Sequence, residues 1–210
     1  TQLRPLWISN PTREWDPKEL ASYGIGQPRD AEPGAAYRDS DAGYVLLGLA
    51  LERVTGKSAA ELIEEYVTEP LDLTATSLPK PAAAAPGSGA VLQGHLSPAV
   101  EGGTYDCAAP VDLTTLSASI GYTDSGVVSN VHDVHRYLQA LASGALTSGE
   151  VADDRFSDPK SVGAGAPTWY NADGGAYLVG SLLGQYGSVP GYSTAAYVDP
   201  ATGLTVIVVP

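Results

Sequence analysis

The chain has 210 residues, a formal charge of −13 and a sequence pI of about 4.4. That length supports one folded unit with a proper core, and the acidic balance argues against nucleic acid as a partner, because phosphate backbones are repelled. No apolar run approaches the ~20 residues of a membrane span, and the single cysteine, Cys107, excludes both an internal disulfide and a thiolate metal cluster.

In chain order, Thr1 to Trp15 lacks the apolar region of a signal peptide. The start at Thr1 and the absence of methionine read as a mature or processed product. The first helix is announced by Asp16-Pro17-Lys18-Glu19: a cap, a proline suited to the first turn, and a glutamate at the reciprocal capping position. It is expected to fail by Gly24 and Gly26. A second helix over Ala42 to Val54 carries Tyr44, Leu47, Leu51 and Val54 on one face, read as its buried face, and Gly56 ends it. Ser58-Ala59-Ala60-Glu61 is a capping box that opens a third helix, which Pro70 stops. Lys80 to Ala90 has no period and reads as an exposed loop. Asn130 opens a further capped helix with Val131, Val134, Leu138 and Leu141 as its buried stripe, and Asp133 reads as part of that cap. Cys107 reads as a small buried filler.

After Gly149 the pattern changes to strands: Ala176 to Leu183, Tyr192 to Val198 and Leu204 to Val209, with Asp199 to Gly203 as a hairpin connection. Helices first and an antiparallel meander last predict an α+β fold, with a helical region over about 1–150 and sheet strands over about 175–210. The apolar face of Leu204, Val206 and Val208 is expected to be covered by a further polypeptide segment or partner.

Several stretches carry a family resemblance. Pro33-Gly34 through Tyr37-Arg38-Asp39-Ser40-Asp41 to Tyr44-Val45-Leu46-Leu47-Gly48 is one. Val54-Thr55-Gly56-Lys57-Ser58 and Glu69-Pro70-Leu71-Asp72-Leu73-Thr74-Ala75-Thr76 are two more, and Gly187-Ser188-Val189-Pro190-Gly191-Tyr192 is a fourth. In this order and spacing the chain resembles the penicillin-recognising serine hydrolases, the class C β-lactamases and DD-peptidases. The resemblance implies an antiparallel sheet flanked by helices, here incomplete at both ends, an extracytoplasmic or secreted location, and no cofactor. It also implies a serine and lysine in Ser-x-x-Lys as nucleophile and base, a tyrosine in Tyr-x-Asn as proton relay, and a Lys/His-Thr/Ser-Gly strand that holds the substrate.

Departures fall on those positions. Asp39-Ser40-Asp41 stands where Tyr-Ser-Asn is usual, and Gln185-Tyr186-Gly187 where His-Thr-Gly is usual. Asp39 is the candidate general base, since a desolvated carboxylate can do a tyrosinate's work; otherwise it is a solvated or capping carboxylate. Asp41 takes the asparagine slot as an acceptor only, and Tyr37 is a substitute phenol or a packing residue. Gln185, Tyr186, Gly187 and Ser188 are the candidate substrate-binding strand, with the Ser188 amide as half an oxyanion hole. No cation is expected beside them. Two Ser-x-x-Lys strings occur, Ser77 to Lys80 and Ser157 to Lys160, each with proline third, which opposes the helical turn that the chemistry needs. His132 and His135 are three apart but lack a third ligand and read as a solvated helix face; no metal site is assigned. Two functional readings follow: a catalytically degenerate binding module, or part of an active hydrolase of D-amino-acid peptides, β-lactams or small esters whose nucleophile lies outside this chain.

Overall fold

A computed structural model describes residues 3–29, 31–35, 37–79, 92–99 and 105–210. The loop expected over Lys80 to Ala90 lies outside them. The helical part comprises α1 (Leu3–Ser9), α2 (Pro17–Ile25), α3 (Asp41–Thr55) and α4 (Ala59–Ile63), the last running into a π-helical turn, Glu64–Thr68. A two-stranded ribbon follows, β1 (His95–Leu96) with β2 (Val111–Asp112). After it come α5 (Tyr122–Ser125), α6 (Val131–Ser143) and α7 (Gly149–Asp154). An antiparallel sheet completes the fold: β3 (Lys160–Ser161), β4 (Tyr170–Asp173), β5 (Ala176–Val179), β6 (Leu182–Val189), β7 (Tyr192–Val198) and β8 (Thr205–Val208). Helices beside an antiparallel sheet make the class α+β, as the sequence pattern implies.

Local signals explain most boundaries. Asp16 accepts from the Lys18 amide to start α2, and Gly26 closes it. Ser58 and Glu61 form the reciprocal box of α4. Asn130 caps α6, and Gly144 ends it in the left-handed conformation. Four readings are corrected. The helix α1 precedes the first expected one. A helical turn, α7, follows Gly149 before the strands begin. The segment Ala176 to Leu183 is two strands, β5 and β6, reversed at Gly180-Ser181, where Gly180 has φ +63°. Cys107 is exposed.

The face of α3 is also corrected. Tyr44, Leu47, Leu51 and Val54 are exposed, Val54 at 84%, whereas Val45 and Gly48 are buried. Gly48 lets α3 lie against α5, because any Cβ there would strike the Thr123 side chain. Trp15, Leu20, Ala21, Val45 and Ile120 form one core cluster, against which Val189 of β6 also packs. The second cluster lies between α6 and the sheet: Leu138 and Leu141 meet Ala176, Leu183 and Val198, with Phe156 and Ile207 beside them.

Asp133 is buried, and its role differs from the expected cap. Its amide is the group that Asn130 caps, while its carboxylate accepts from the Ala75 amide at 2.9 Å and from the Thr76 hydroxyl at 2.8 Å. It thus pins the segment after the π-helical turn to α6. Replacing Asp133 by alanine strands the Ala75 amide and is expected to cost about 2–3 kcal/mol by urea denaturation. Loss of the exposed Arg136–Asp72 pair nearby is expected to cost under about 1 kcal/mol.

Candidate functional site

Strand β6 positions the site. It pairs with β5 only through Gly184, while its pairing with β7 continues to Val189. From Gln185 onward, one edge of β6 therefore lacks a strand partner among the described residues. Gln185 folds its side chain onto that edge, and its Oε1 accepts from the Tyr186 amide at 3.0 Å. Amide direction alternates along a strand, so the Ser188 N–H lies on the same edge as the Tyr186 N–H. A backbone donor there survives the change of side chains around it.

Register places the tyrosines. Ala172, Tyr177, Gly184, Tyr197 and Val206 form one cross-strand row on the face away from α6. Tyr170 and Tyr186 belong to the same face, two residues along β4 and β6 from that row. Tyr177 is buried, and Tyr186 stacks on it with ring centroids 5.3 Å apart. Tyr170 meets Tyr177 at 5.4 Å, and Tyr37 meets it edge-on at 6.2 Å. The Tyr37 and Tyr177 hydroxyls are 3.4 Å apart. Burial first, and then hydroxyl contacts with Tyr186 for Tyr170 and with Tyr37 for Tyr177, push both phenols well above their ordinary range, so both are neutral donors at neutral pH.

The loop before α3 brings the candidate carboxylates to this strand. Ser40, not Asp39, caps α3, its Oγ accepting from the Gly43 amide; Asp41 is the first helical residue. Asp39 is exposed and lines a cavity of about 310 Å3 with Tyr37, Arg38, Val162, Tyr170, Tyr177 and Tyr186. Asp41 lines a second cavity of about 250 Å3 with Arg4, Trp7, Ser188, Val189 and Pro190. The carboxylate that shares a cavity with Ser188 is thus Asp41, while Asp39 shares one with Tyr186. The expectation of no cation is corrected as well, since Arg38 lines the first cavity and Arg4 the second. Arg4 was hidden because α1 is only seven residues long and carries Pro5 within it, so its Leu3, Leu6, Trp7 spacing is too brief to announce a helix.

One carboxylate was missed. Asp124, in α5, has its pKa raised to about 6, by burial first and by repulsion from Asp41 and Asp39, with a Ser125 hydrogen bond partly offsetting. An unfolded carboxyl titrates near 3.8. The folded state therefore holds this proton more tightly, and Asp124's contribution to stability is full below about pH 4 and falls as pH rises through 6. Solvent reaches Asp124, so screening trims the effect to about 1 kcal/mol. Asp124→Asn is expected to raise stability by that amount at pH 7.5 and to leave it unchanged at pH 3.5. Thermal melts of both proteins across that range measure the difference.

Neither Ser-x-x-Lys string is built as a nucleophile. Ser157 lies in the bend after α7 and donates to the Asp154 carbonyl, while Lys160 in β3 pairs with Asp158 at 2.6 Å. Ser77 bridges to Val128 in extended backbone, and Lys80 lies outside the described residues. His132 and His135 are exposed on α6.

A model of the Beta-lactamase family matches residues 3–210. The chain belongs to that family. Solved structures with the same fold include a D-stereospecific amidohydrolase from Streptomyces sp. (23% identity, TM-score 0.81, 97% of this chain and 58% of that one). A D-amino acid amidase from Ochrobactrum anthropi SV3, complexed with D-phenylalanine, matches at 19% identity and TM-score 0.76, over 96% of this chain and 59% of that one. A penicillin binding protein from Bacillus halodurans matches at 20% and 0.75, over 100% and 62%. The chain spans about three-fifths of the length of these structures. Asp39 lies on the loop before α3 and Gln185 to Ser188 on the edge of β6, beside two cavities. No helix among the described residues is long and apolar enough to cross a membrane.

Proposed function

We propose that this chain is a ligand-binding domain of the Beta-lactamase family that does not itself form an acyl-enzyme. The observation that carries the reading is the pairing of an open cleft with the absence, among the described residues, of a Ser-x-x-Lys pair carried on one turn of a helix. Ser157 is engaged with a backbone carbonyl and its lysine with Asp158, so no base stands beside that hydroxyl. The ligands that fit are small peptides, β-lactams or esters, and the D-phenylalanine bound in the Ochrobactrum amidase is of that size. An extracytoplasmic location, and a further polypeptide segment or partner completing the sheet, belong to the same reading. Val206 and Val208 are 46% and 51% exposed on β8, the last strand of the sheet. The test is intact-mass spectrometry after incubation with penicillin G and with a fluorophosphonate. The expected result is an unchanged mass; an adduct mapped to Ser77 or Ser157 overturns the proposal.

One observation favours a second reading. Tyr186 lies against Tyr177 rather than filling the groove, and the cavity beside Ser188 is open. On this reading the chain is part of an active hydrolase whose serine and lysine come from polypeptide outside these 210 residues, with Asp39 as base. Turnover by such a complete protein, abolished in Asp39→Asn at an unchanged melting temperature, establishes it; turnover unaffected by that change removes Asp39 from the chemistry.

A further inference from the structure

Tyr186 has two faces in different circumstances. One stacks on the buried Tyr177 ring, 5.3 Å away and 21° from parallel. Tyr186 as a residue stays 53% exposed and lines the 310 Å3 cavity, on the side of the ring that Tyr177 does not cover. Tyr37 and Tyr170 stand beside it, and the Asp39 carboxylate lines the same cavity. The face of a phenol ring carries the negative end of its quadrupole and attracts a cation within about 6 Å of the centroid. In this protein such faces are covered elsewhere: the Arg13 guanidinium lies 3.9 Å over Trp15, and Arg155 lies 5.2 Å from Phe156. Among the described residues no arginine or lysine lies over the tyrosines of the cleft. Arg38, the cation lining the cavity, turns its Nη1 to the Tyr37 carbonyl at 2.9 Å.

We infer that this cavity binds an organic ammonium group, held on the open face of Tyr186 and paired with Asp39. The inference rests on the ligand-binding reading above and names the chemistry of the ligand: a small amine, such as the free amino end of an amino-acid amide or short peptide. A ligand anchored only by a carboxylate meets Asp39 as a like charge there. The volume suits one amino-acid unit, near the lower end of small-molecule sites.

Choline and its uncharged isostere 3,3-dimethylbutan-1-ol separate charge from shape, and titration calorimetry on the 210-residue chain reads both. Choline is expected to bind about tenfold more tightly than the alcohol. Asp39→Asn is expected to remove about that factor for choline and to leave the alcohol unchanged, while Arg38→Ala strengthens choline binding by about threefold as a repulsive charge is lost. Tyr186→Phe keeps the ring face and is expected to retain binding, whereas Tyr186→Leu loses the preference for choline over the alcohol. Equal affinities for the two probes, or a choline affinity indifferent to Asp39→Asn, overturn the ammonium inference and leave ligand binding standing. Failure of both probes to bind at millimolar concentration overturns the inference and the ligand-binding reading together.

Discussion

Replacing Trp15 by alanine is expected to destabilise the protein by about 3–5 kcal/mol, the largest loss at any single core side chain. Trp15 is 2% exposed and stands between α1 and α2, with Leu20, Ala21, Val45 and Ile120 around it. Its backbone amide donates to the buried Ser119 hydroxyl at 3.0 Å, so the segment before α2 is tied to the turn before α5 at the same point. Val189 packs on this cluster, and the void would therefore also loosen the end of β6 that carries Ser188. Trp15→Phe separates volume from polarity. The Trp15 Nε1 is buried without a hydrogen-bond partner, and phenylalanine removes that unmet donor while leaving a smaller void. The two effects offset, and a net loss of only about 1 kcal/mol is expected. Urea denaturation of the three proteins measures both differences.

Gly184→Ala is the second large effect, expected to cost about 3 kcal/mol or more. A Cβ at Gly184 would overlap the Ala196 carbonyl oxygen and approach the Tyr197 Cα to 2.7 Å. Both are backbone atoms of β7, so relief requires opening the ladder that joins the two strands from Leu183 to Val189. Gly184 also sits between Tyr177 and Tyr197 in the cross-strand row, and a methyl group there would displace the rings on which Tyr186 stacks. Near-ultraviolet circular dichroism should report the loss of that ring packing together with the drop in denaturation midpoint. Leucine at Gln185, next in the strand and exposed, serves as the control and is expected to change stability by less than about 0.5 kcal/mol.

Capping chemistry made much of this fold legible in the sequence. Asp16, Ser58 and Asn130 each open a helix by a hydrogen bond to an amide two or three residues on, and such signals depend only on neighbours in the chain. The hairpin at Asp199 to Gly203 was legible for the same reason, with the Asp199 carboxylate accepting from Ala201 and Gly203 at φ +73°. What failed required knowledge of distant partners. The period of Tyr44, Leu47, Leu51 and Val54 identifies an apolar stripe correctly but says nothing about what covers it, and in this chain Val45 and Gly48 face the core instead. The apolar run from Ala176 to Leu183 hides a reversal because Gly180-Ser181 is too brief to interrupt its composition. Around the two cavities, Asp39 and the strand Gln185 to Ser188 were candidates from the family motifs, while Arg4 and Asp124 entered through elements of seven and four residues. Short elements of that kind carry little periodicity to detect. The tyrosine wall was invisible because Tyr170, Tyr177 and Tyr186 converge through strand register and Tyr37 joins them from a loop 140 residues earlier than Tyr177.

The sheet's strands lie side by side in the order in which they occur in the chain, and that simple order has a kinetic consequence. From β4 to β8, each pairing closes through a short connection: Gly174-Gly175, Gly180-Ser181, Pro190-Gly191 and Asp199 to Leu204. Loop-closure entropy is small for such contacts, so hairpins of this kind form early in folding. The contacts that assemble the cleft span far more chain: Trp15 reaches Ser119 across 104 residues, and Tyr37 reaches Tyr177 across 140. The meander is therefore expected to form before the long-range contacts between the helices and the sheet close. On the same argument the loop bearing Asp39 is expected to dock last and detach first. Hydrogen exchange should accordingly be slowest in β6 and β7 and fastest around Tyr37, so that the candidate cleft opens and recloses while the sheet beneath it stays intact.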